Sequence, residues 1–430
     1  MTTDAHRAVT LRGAIEEADS KRQRLQDQMA GRYARLPLRY WRQQAHFTTP
    51  AADGQMARKA VEGGTAAMGR LLQRWRIEPT ELADRLGADV SLVEDLLQRP
   101  RRAPLVMLDG EDAQALREDV TDLGLRTAAD VLADADWRGD GPPMLRFFRP
   151  PGFALGSTAH DLYTLLWALA ERSGPGALPL DGIVFPKVDH PEEVDLLYAM
   201  LSEAEEALGL PEGSIRVALL VESGWAAVQL AQIAQRAASR LSGLIFGLAD
   251  YSADLGLPQI SNEHPLADWA RAEIVAVAGA ARVPAIDGMT LDYPVADPAL
   301  DDAQNRRRFL DRMALAFDDT VRARSFGMSG KWVGHPAQLF AVLLAFEGAF
   351  GTAALEEEAG KLEAYRVAVE EEARGAMIIG GVMSDRATDR HARAVLRQAV
   401  AMGRFDPERA VTLGVIEATE LDEAKEATGA

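Results

Sequence analysis

The sequence predicts an α/β protein built on a (β/α)8 TIM barrel, and three observations carry that expectation. Eight short apolar runs of strand length recur along the 430 residues, separated by segments of helical periodicity. The runs are apolar throughout instead of alternating, as strands covered on both faces of a parallel sheet must be. Seven of the eight end in or just before a polar residue: Asp109, Arg149, Lys187, Glu222, Asp250, Asp287 and His335. Barrels of this kind carry their chemistry on the C-terminal ends of the strands, so these side chains are expected on one rim.

In chain order, residues 1–43 read as a charged, N-terminal helical extension, too charged for a signal peptide. "AHFTT" (45–49) is the first strand, followed by a helical insertion over about 65–103. Inside it, "TELADRLGADVSLVEDLLQ" (80–98) has the Ala, Gly and Val spacing of a helix-turn-helix, but Asp89, Glu94 and Asp95 on its second helix would face phosphate. The segment therefore reads as an insertion shaping an entrance or a subunit contact, with DNA binding the weaker alternative. The strands "PLVMLD", "PMLRFFR", "GIVFPK", "IRVALLVE", "GLIFG", "VPAID" and "FGMSGKWVGH" follow. Between them lie amphipathic helices such as "HPEEVDLLYAMLSEAEEALG" and "AAVQLAQIAQRAASRL". The barrel is expected over 44–349, and 350–430 form a helical tail that opens "ALEEEAGKLEAYRVAVEEEARG" shortly after its start, a lid or oligomerisation region.

Composition narrows the function. With 47% hydrophobic and 26% charged residues the chain is ordinary globular material. A formal net charge of −18 opposes nonspecific binding to nucleic acid or an anionic membrane, and an anionic substrate would need a local basic pocket. The absence of cysteine excludes disulfides, thiolate zinc sites and a cysteine nucleophile, and suits a cytoplasmic protein. No apolar run approaches the roughly 18 residues of a membrane span.

Glu222 in "LLVESGW" and Asp250 in "FGLADYSADLG" arrive from adjacent strands. Hard Mg²⁺, or Mn²⁺ in its place, takes oxygen ligands and is commonly held by one or two carboxylates, with water and substrate completing the shell. Each acid alone is equally a solvated loop residue; their shared strand-end placement favours the metal.

Further motifs follow in a fixed order: "VMLDGEDA" (106–113), "FRPPG" (148–152) with Asp161 in the next helix, "FPKVDHPEEV" (185–194), "VES" (221–223) and "FGLADYSADLG" (246–256). "AIDG" (285–288), "SGKWVGHPAQ" (329–338) and "RGAMIIGGVMSDRATDRHA" (374–392) complete the series. From about residue 45 to residue 403 the chain resembles the HpcH/HpaI aldolase and citrate lyase family, in its citrate lyase β-subunit-like and malyl-CoA lyase branch. The resemblance implies a Mg-dependent carbon–carbon lyase that joins or separates an acyl-CoA enolate and a 2-keto acid such as glyoxylate, pyruvate or oxaloacetate. It makes Glu222 and Asp250 the metal ligands and Arg149 the stabiliser of the enolate oxygen. Asp385, in "MSDRA", becomes a general acid/base on a lid covering a neighbouring subunit, which implies a homotrimer or hexamer. Glu111 and Asp112 would orient Arg149 or a metal-bound water, while Asp109, Lys187, Ser223, Gly247 and His335 would contact substrate or CoA.

Local alternatives stand beside these roles: Arg149 as a surface residue before a Pro-Pro turn, Asp385 as a helix N-cap, His335 as a structural hydrogen-bonder, and Asp287 as a supporting residue. The match also has departures. Pro151 replaces an Asn, Ser223 a Thr and Gly334 an Ile, and the lid reads Met383-Ser384-Asp385, changes that suggest an unusual substrate or weakened activity. Gly110 agrees with the pyruvate aldolase branch, but Asp112 stands where that branch has a His. A class II aldolase using a pyruvate enolate, a malate-synthase or thioesterase outcome, and a non-catalytic barrel are the remaining alternatives.

Overall fold

Eight parallel strands close into a barrel in chain order: β1 Ala45–Pro50, β2 Leu105–Asp109, β3 Leu145–Arg149, β4 Gly182–Phe185, β5 Arg216–Val221, β6 Leu241–Phe246, β7 Ala285–Asp287 and β8 Gly330–Val333. Closure is made by β1, which pairs with β2 from His46 opposite Leu105 and with β8 from Ala45 opposite Lys331. The computed structural model describes residues 13–24, 36–370 except 116, 140 and 175, then 376–379 and 382–428. Parts of the expected N-terminal extension (1–12 and 25–35) and four positions of the 374–392 motif (374, 375, 380 and 381) lie outside the described residues.

The strands form where the sequence has continuous apolar runs, and burial explains why. Every residue of β2, β4 and β6 is buried, and so are Phe147 and Phe148 of β3. Outside, each strand is backed by helices: α6 Glu118–Asp134, α7 Thr158–Ser173, α8 Pro191–Leu208, α9 Gly224–Ala237, α10 Leu248–Asp254, α11 Pro265–Ala281, α12 Asp302–Phe326 and α13 Pro336–Glu347. A helix over 13–24 (α1) precedes the barrel.

The helices between β1 and β2 begin at Gly54, ahead of the expected start near 65: α2 Gly54–Gly63, α3 Ala67–Trp75, α4 Pro79–Leu86 and α5 Val90–Gln98. The pair α4–α5 turns at Gly87, whose left-handed φ of 64° suits glycine. Leu82, Leu86, Val93 and Leu96 are buried in the main core, and Glu81 and Arg85 pair with Arg306 and Asp311 of α12.

A single 3-10 turn, Leu38–Trp41, crosses the N-terminal end of the barrel: Tyr40 Oη donates to the Asp181 carbonyl at 2.9 Å and Gln43 Nε2 to the Ser242 carbonyl at 2.9 Å. Against this turn pack the tail helices α14 Thr352–Glu370, α15 Arg386–Ala401, α16 Pro407–Thr412 and α17 Leu421–Thr428. They form a second hydrophobic core that includes Leu38, Leu355, Leu362, Leu396 and Ile416. The Leu38 and Arg39 amides both donate to Glu423. Between α14 and α15, β9 Met377–Ile379 and β10 Val382–Ser384 pair as an antiparallel hairpin that leaves Ile378 and Met383 exposed. Among the described residues no single helix is long and apolar enough to cross a membrane.

Candidate active site

At the C-terminal ends of the strands lies a cavity of about 670 Å³, lined on one side by Asp109, Asp112, Arg149, Glu222, Gly247 and Asp250, and on another by Met289, Tyr293, Trp332, Gly334 and His335. Seven of the eleven expected site residues line it; Glu111 and Lys187 touch those that do, and Ser223 and Asp385 stand outside.

The end of β2 supplies a carboxylate turn. Asp109 is buried, accepts the Glu111 amide at 3.0 Å, and grips Arg149 of the adjacent β3 through Nε at 2.7 Å and Nη2 at 2.5 Å. Strand register places the two residues opposite one another. Arg149 Nη1 lies 3.5 Å from Glu111 and 3.4 Å from Asp112, and the guanidinium sits over Trp332. Burial alone would lower the Arg149 pKa, but Asp109, then Glu111 and Asp112, raise it, so the cation is permanent. Arg149 is thus no surface arginine.

Lys187 follows β4 with a left-handed φ of 52°, an uncommon conformation for a residue with a side chain. That bend points its amide at Glu222 Oε1, 2.7 Å away, while Nζ reaches Glu111 at 2.9 Å and Asp112 at 3.3 Å. Burial opposes its charge, yet Glu111, Asp112 and Glu222 raise its pKa. Glu111 itself is pushed up by burial, which outweighs the attraction of Arg149 and Lys187.

Glu222 directly follows β5 with only 3% of its surface exposed. Its Oε1 takes the Lys187 amide; its Oε2 is buried with no partner. Burial first, then the neighbouring Asp250 charge, push its carboxyl up to about 8. Gly247, which directly follows β6, is small for a reason: a Cβ there would lie 2.6 Å from Glu222 Cβ and 3.0 Å from Oε2. Asp250 stands in the first turn of α10, lines the same cavity, and has no hydrogen-bond partner among the described residues. An unpaired buried carboxylate oxygen beside a second free carboxylate is costly without a cation. The donor set therefore fits a hard divalent ion. Among the described residues no group of three or more His, Asp or Glu could hold a metal alone, so water or substrate must complete its shell.

Ser223, expected as a substrate contact, is instead the N-cap of α9: Oγ accepts the Ala226 amide at 3.0 Å and donates to Asp189. Asp385 caps α15, accepting the Ala387 and Thr388 amides, and does not line the cavity of its own chain. His335 lines the cavity and also caps α13, its Nδ1 accepting the Ala337 amide at 3.2 Å. Asp287 is locked in a buried network with Arg271 Nε at 2.7 Å and Lys331 Nζ at 2.8 Å. Asp161 is buried in α7, accepting from Ser157 Oγ at 3.0 Å. Sequence reasoning missed Thr48, Trp332 and Tyr293. Trp332 and Thr48 sit inside apolar strands, yet their polar atoms are buried without partners.

A family model described as a domain of unknown function, DUF6986, matches residues 26–428. The chain belongs to the DUF6986 family. Among curated proteins this DUF6986 chain is 28% identical over 344 residues to the L-malyl-CoA/β-methylmalyl-CoA lyase of Haloarcula marismortui, covering 79% of this chain and 93% of that one. It is also 28% identical over 329 residues to a malate synthase of Oryza sativa subsp. japonica, 65% of this chain but only 56% of that protein. A citrate lyase structure from Burkholderia xenovorans LB400 shares the fold, with a TM-score of 0.57 at 24% identity over 75% of this chain and 91% of that one. These relatives bear out the resemblance to the HpcH/HpaI aldolase and citrate lyase family, in its malyl-CoA lyase branch.

Proposed function

We propose that this DUF6986 protein is a Mg²⁺-dependent carbon–carbon lyase acting on a β-hydroxyacyl-CoA, releasing or condensing an acyl-CoA and a 2-keto acid. The 28% identity to a malyl-CoA lyase along nearly its whole length supports the reaction class. The observation that carries it to these residues is the unpartnered Glu222 Oε2 beside Asp250, under Gly247, with Arg149 in the same cavity. Glu222 and Asp250 would hold the ion, which supplies Lewis acidity toward the keto-acid carbonyl. Manganese would serve the same donors.

The chain's own residues do the rest. In the cleavage direction a base takes the proton of the substrate's β-hydroxyl, the carbon–carbon bond breaks, and its electron pair moves onto the thioester as an enolate. Arg149, held by Asp109, presents fixed positive charge to that oxygen, where negative charge develops. Asp109, Glu111 and Asp112 keep the guanidinium in place, and Lys187 ties this cluster to Glu222. The enolate then takes a proton to give the acyl-CoA. Asp385 caps a helix outside its own cavity, so its use as the acid/base requires a lid from a neighbouring subunit, in a homotrimer or hexamer. The acidic, cysteine-free chain fits a cytoplasmic setting.

The test is calorimetric titration of metal-stripped protein with Mg²⁺ and glyoxylate, pyruvate or oxaloacetate, for the wild type and Asp250→Ala, followed by acyl-CoA turnover. Keto-acid binding that needs both Mg²⁺ and Asp250 is expected; binding indifferent to either sinks the reading. Similarity to a malate synthase favours a second outcome, hydrolysis of the condensed thioester. Release of free CoA during condensation distinguishes it.

A further inference from the structure

The cavity has a second wall that the reaction above does not use. Met289 and Tyr293 come from the segment between β7 and α12, and Trp332, Gly334 and His335 from β8 and its end. The conformation at Gly334 does not demand glycine, since its φ is not positive. The demand is spatial: a Cβ there would lie 2.1 Å from the Tyr293 hydroxyl. A phenol therefore occupies the room that a side chain at 334 would fill.

Tyr293 is held at both ends. Its carbonyl accepts from Arg312 Nη1 at 2.5 Å, and its ring meets His335 edge-on at 6.5 Å. Its hydroxyl donates to Met289 Sδ at 2.8 Å. A thioether is a weak acceptor, so that proton can be redirected to a better oxygen at small cost. His335 accepts the Ala337 amide at Nδ1, which leaves the ring proton on Nε2. Burial lowers its pKa to about 4, so the ring is neutral at pH 7. Trp332 adds a buried indole N–H without a partner. All three donors are uncharged. The cation behind the wall, Arg312, is committed to Asp292 and the Tyr293 carbonyl.

Strand order says which part of the substrate meets this wall. Asp250 follows β6, which pairs with β7, the strand that leads into Tyr293, whereas Arg149 ends β3, four strands from β7 in the closed barrel. A keto acid held at Asp250 therefore has the segment after β7, with Tyr293, as its neighbour, and His335 meets the Tyr293 ring. We propose that Tyr293 and His335, with room kept by Gly334, form a subsite for an uncharged oxygen on the chain of the 2-keto acid. The substrate class is a hydroxylated 2-keto acid, and the inference rests on the lyase reading above. Hydrogen-bonding sites discriminate strongly against analogues that leave buried donors unpaired. Arg149, over Trp332, is already paired with Asp109, so a second carboxylate at Tyr293 and His335 would find no free countercharge.

The experiment is calorimetric titration of Mg²⁺-loaded protein with isosteric keto-acid pairs, hydroxypyruvate against 2-oxobutyrate and 5-hydroxy-2-oxopentanoate against 2-oxohexanoate, with oxaloacetate as the charged control. The wild type should bind one hydroxylated member roughly tenfold more tightly than its isostere, and more tightly than oxaloacetate. In Tyr293→Phe that ratio should fall toward one. Gly334→Ala, which evicts the phenol, should lower it likewise. A wild type without preference, a preference untouched by Tyr293→Phe, or a preference for oxaloacetate overturns the subsite while leaving the lyase reading intact. Failure of every keto acid to bind with Mg²⁺ overturns the lyase reading itself, and the subsite with it.

Discussion

Replacing Glu222 by Gln should stabilise the metal-free protein by an amount that grows as pH rises from about 4.5 to about 8. The Glu222 carboxyl ionises ordinarily near 4.5, but burial and Asp250 push it up to about 8 in the folded chain. Between those values the folded state holds a proton that the unfolded state has released, so stability falls as pH rises through the window. The slope is about 1.4 kcal/mol per pH unit, or about 5 kcal/mol across the whole interval as an upper figure. Gln at 222 keeps an oxygen for the Lys187 amide and carries no charge. Urea unfolding in chelator should therefore show wild type and Glu222→Gln within about 1 kcal/mol at pH 4, and the variant ahead by several kcal/mol at pH 9. Adding Mg²⁺ at pH 9 should restore the wild type alone, because a bound cation replaces the lost proton. Below pH 8 the apparent Mg²⁺ affinity of the wild type should drop about tenfold per pH unit, as protons compete for the carboxylate. A gap between the two proteins that is equal at pH 4 and pH 9 would refute the reasoning.

Gly247→Ala places a methyl 2.6 Å from Glu222 Cβ, so the carboxylate must move by about 1 Å, and Mg²⁺ affinity measured by calorimetry should fall roughly tenfold to a hundredfold. Lys187→Ala and Lys187→Gly both remove the ammonium from Glu111 and Asp112, but only glycine suits the left-handed backbone. Thermal melts should place the Gly variant about 1 kcal/mol above the Ala variant. Lys331→Met leaves the buried Asp287 with Arg271 alone, which should cost about 3–5 kcal/mol in denaturant unfolding while Mg²⁺ affinity is unchanged.

The barrel was legible because burial on both faces forces apolar runs, and the quoted runs contain or overlap all eight strands, from "AHFTT" within β1 to "FGMSGKWVGH" around β8. Strand ends then brought Asp109, Arg149, Glu222 and Asp250 together without any knowledge of pairing. Where local and distant roles compete, pattern alone does not choose between them. Ser223 looks like a contact beside Glu222, yet it satisfies the first amides of α9, a purely local demand. Asp385 sits in a motif-rich tail whose position is decided by packing against Leu38 and Trp41, contacts remote in sequence. Tyr293 lies in an irregular segment with no periodicity to read, and only the empty position at Gly334, noted as a departure, pointed toward it.

The bond from the Leu38 and Arg39 amides to Glu423 joins positions separated by 385 and 384 residues. The turn that floors the barrel leaves the ribosome ahead of all eight strands, while the carboxylate that receives its amides emerges only after them. During translation the strands can pair in order, each with the one before it, but the underside stays wet until α17 arrives. Such a chain matures from the top downward. The catalytic rim can assemble while the base is still open, and C-terminal truncation should leave a barrel whose cavity forms but whose N-terminal end exposes Leu38 and Trp41 to chaperones and aggregation.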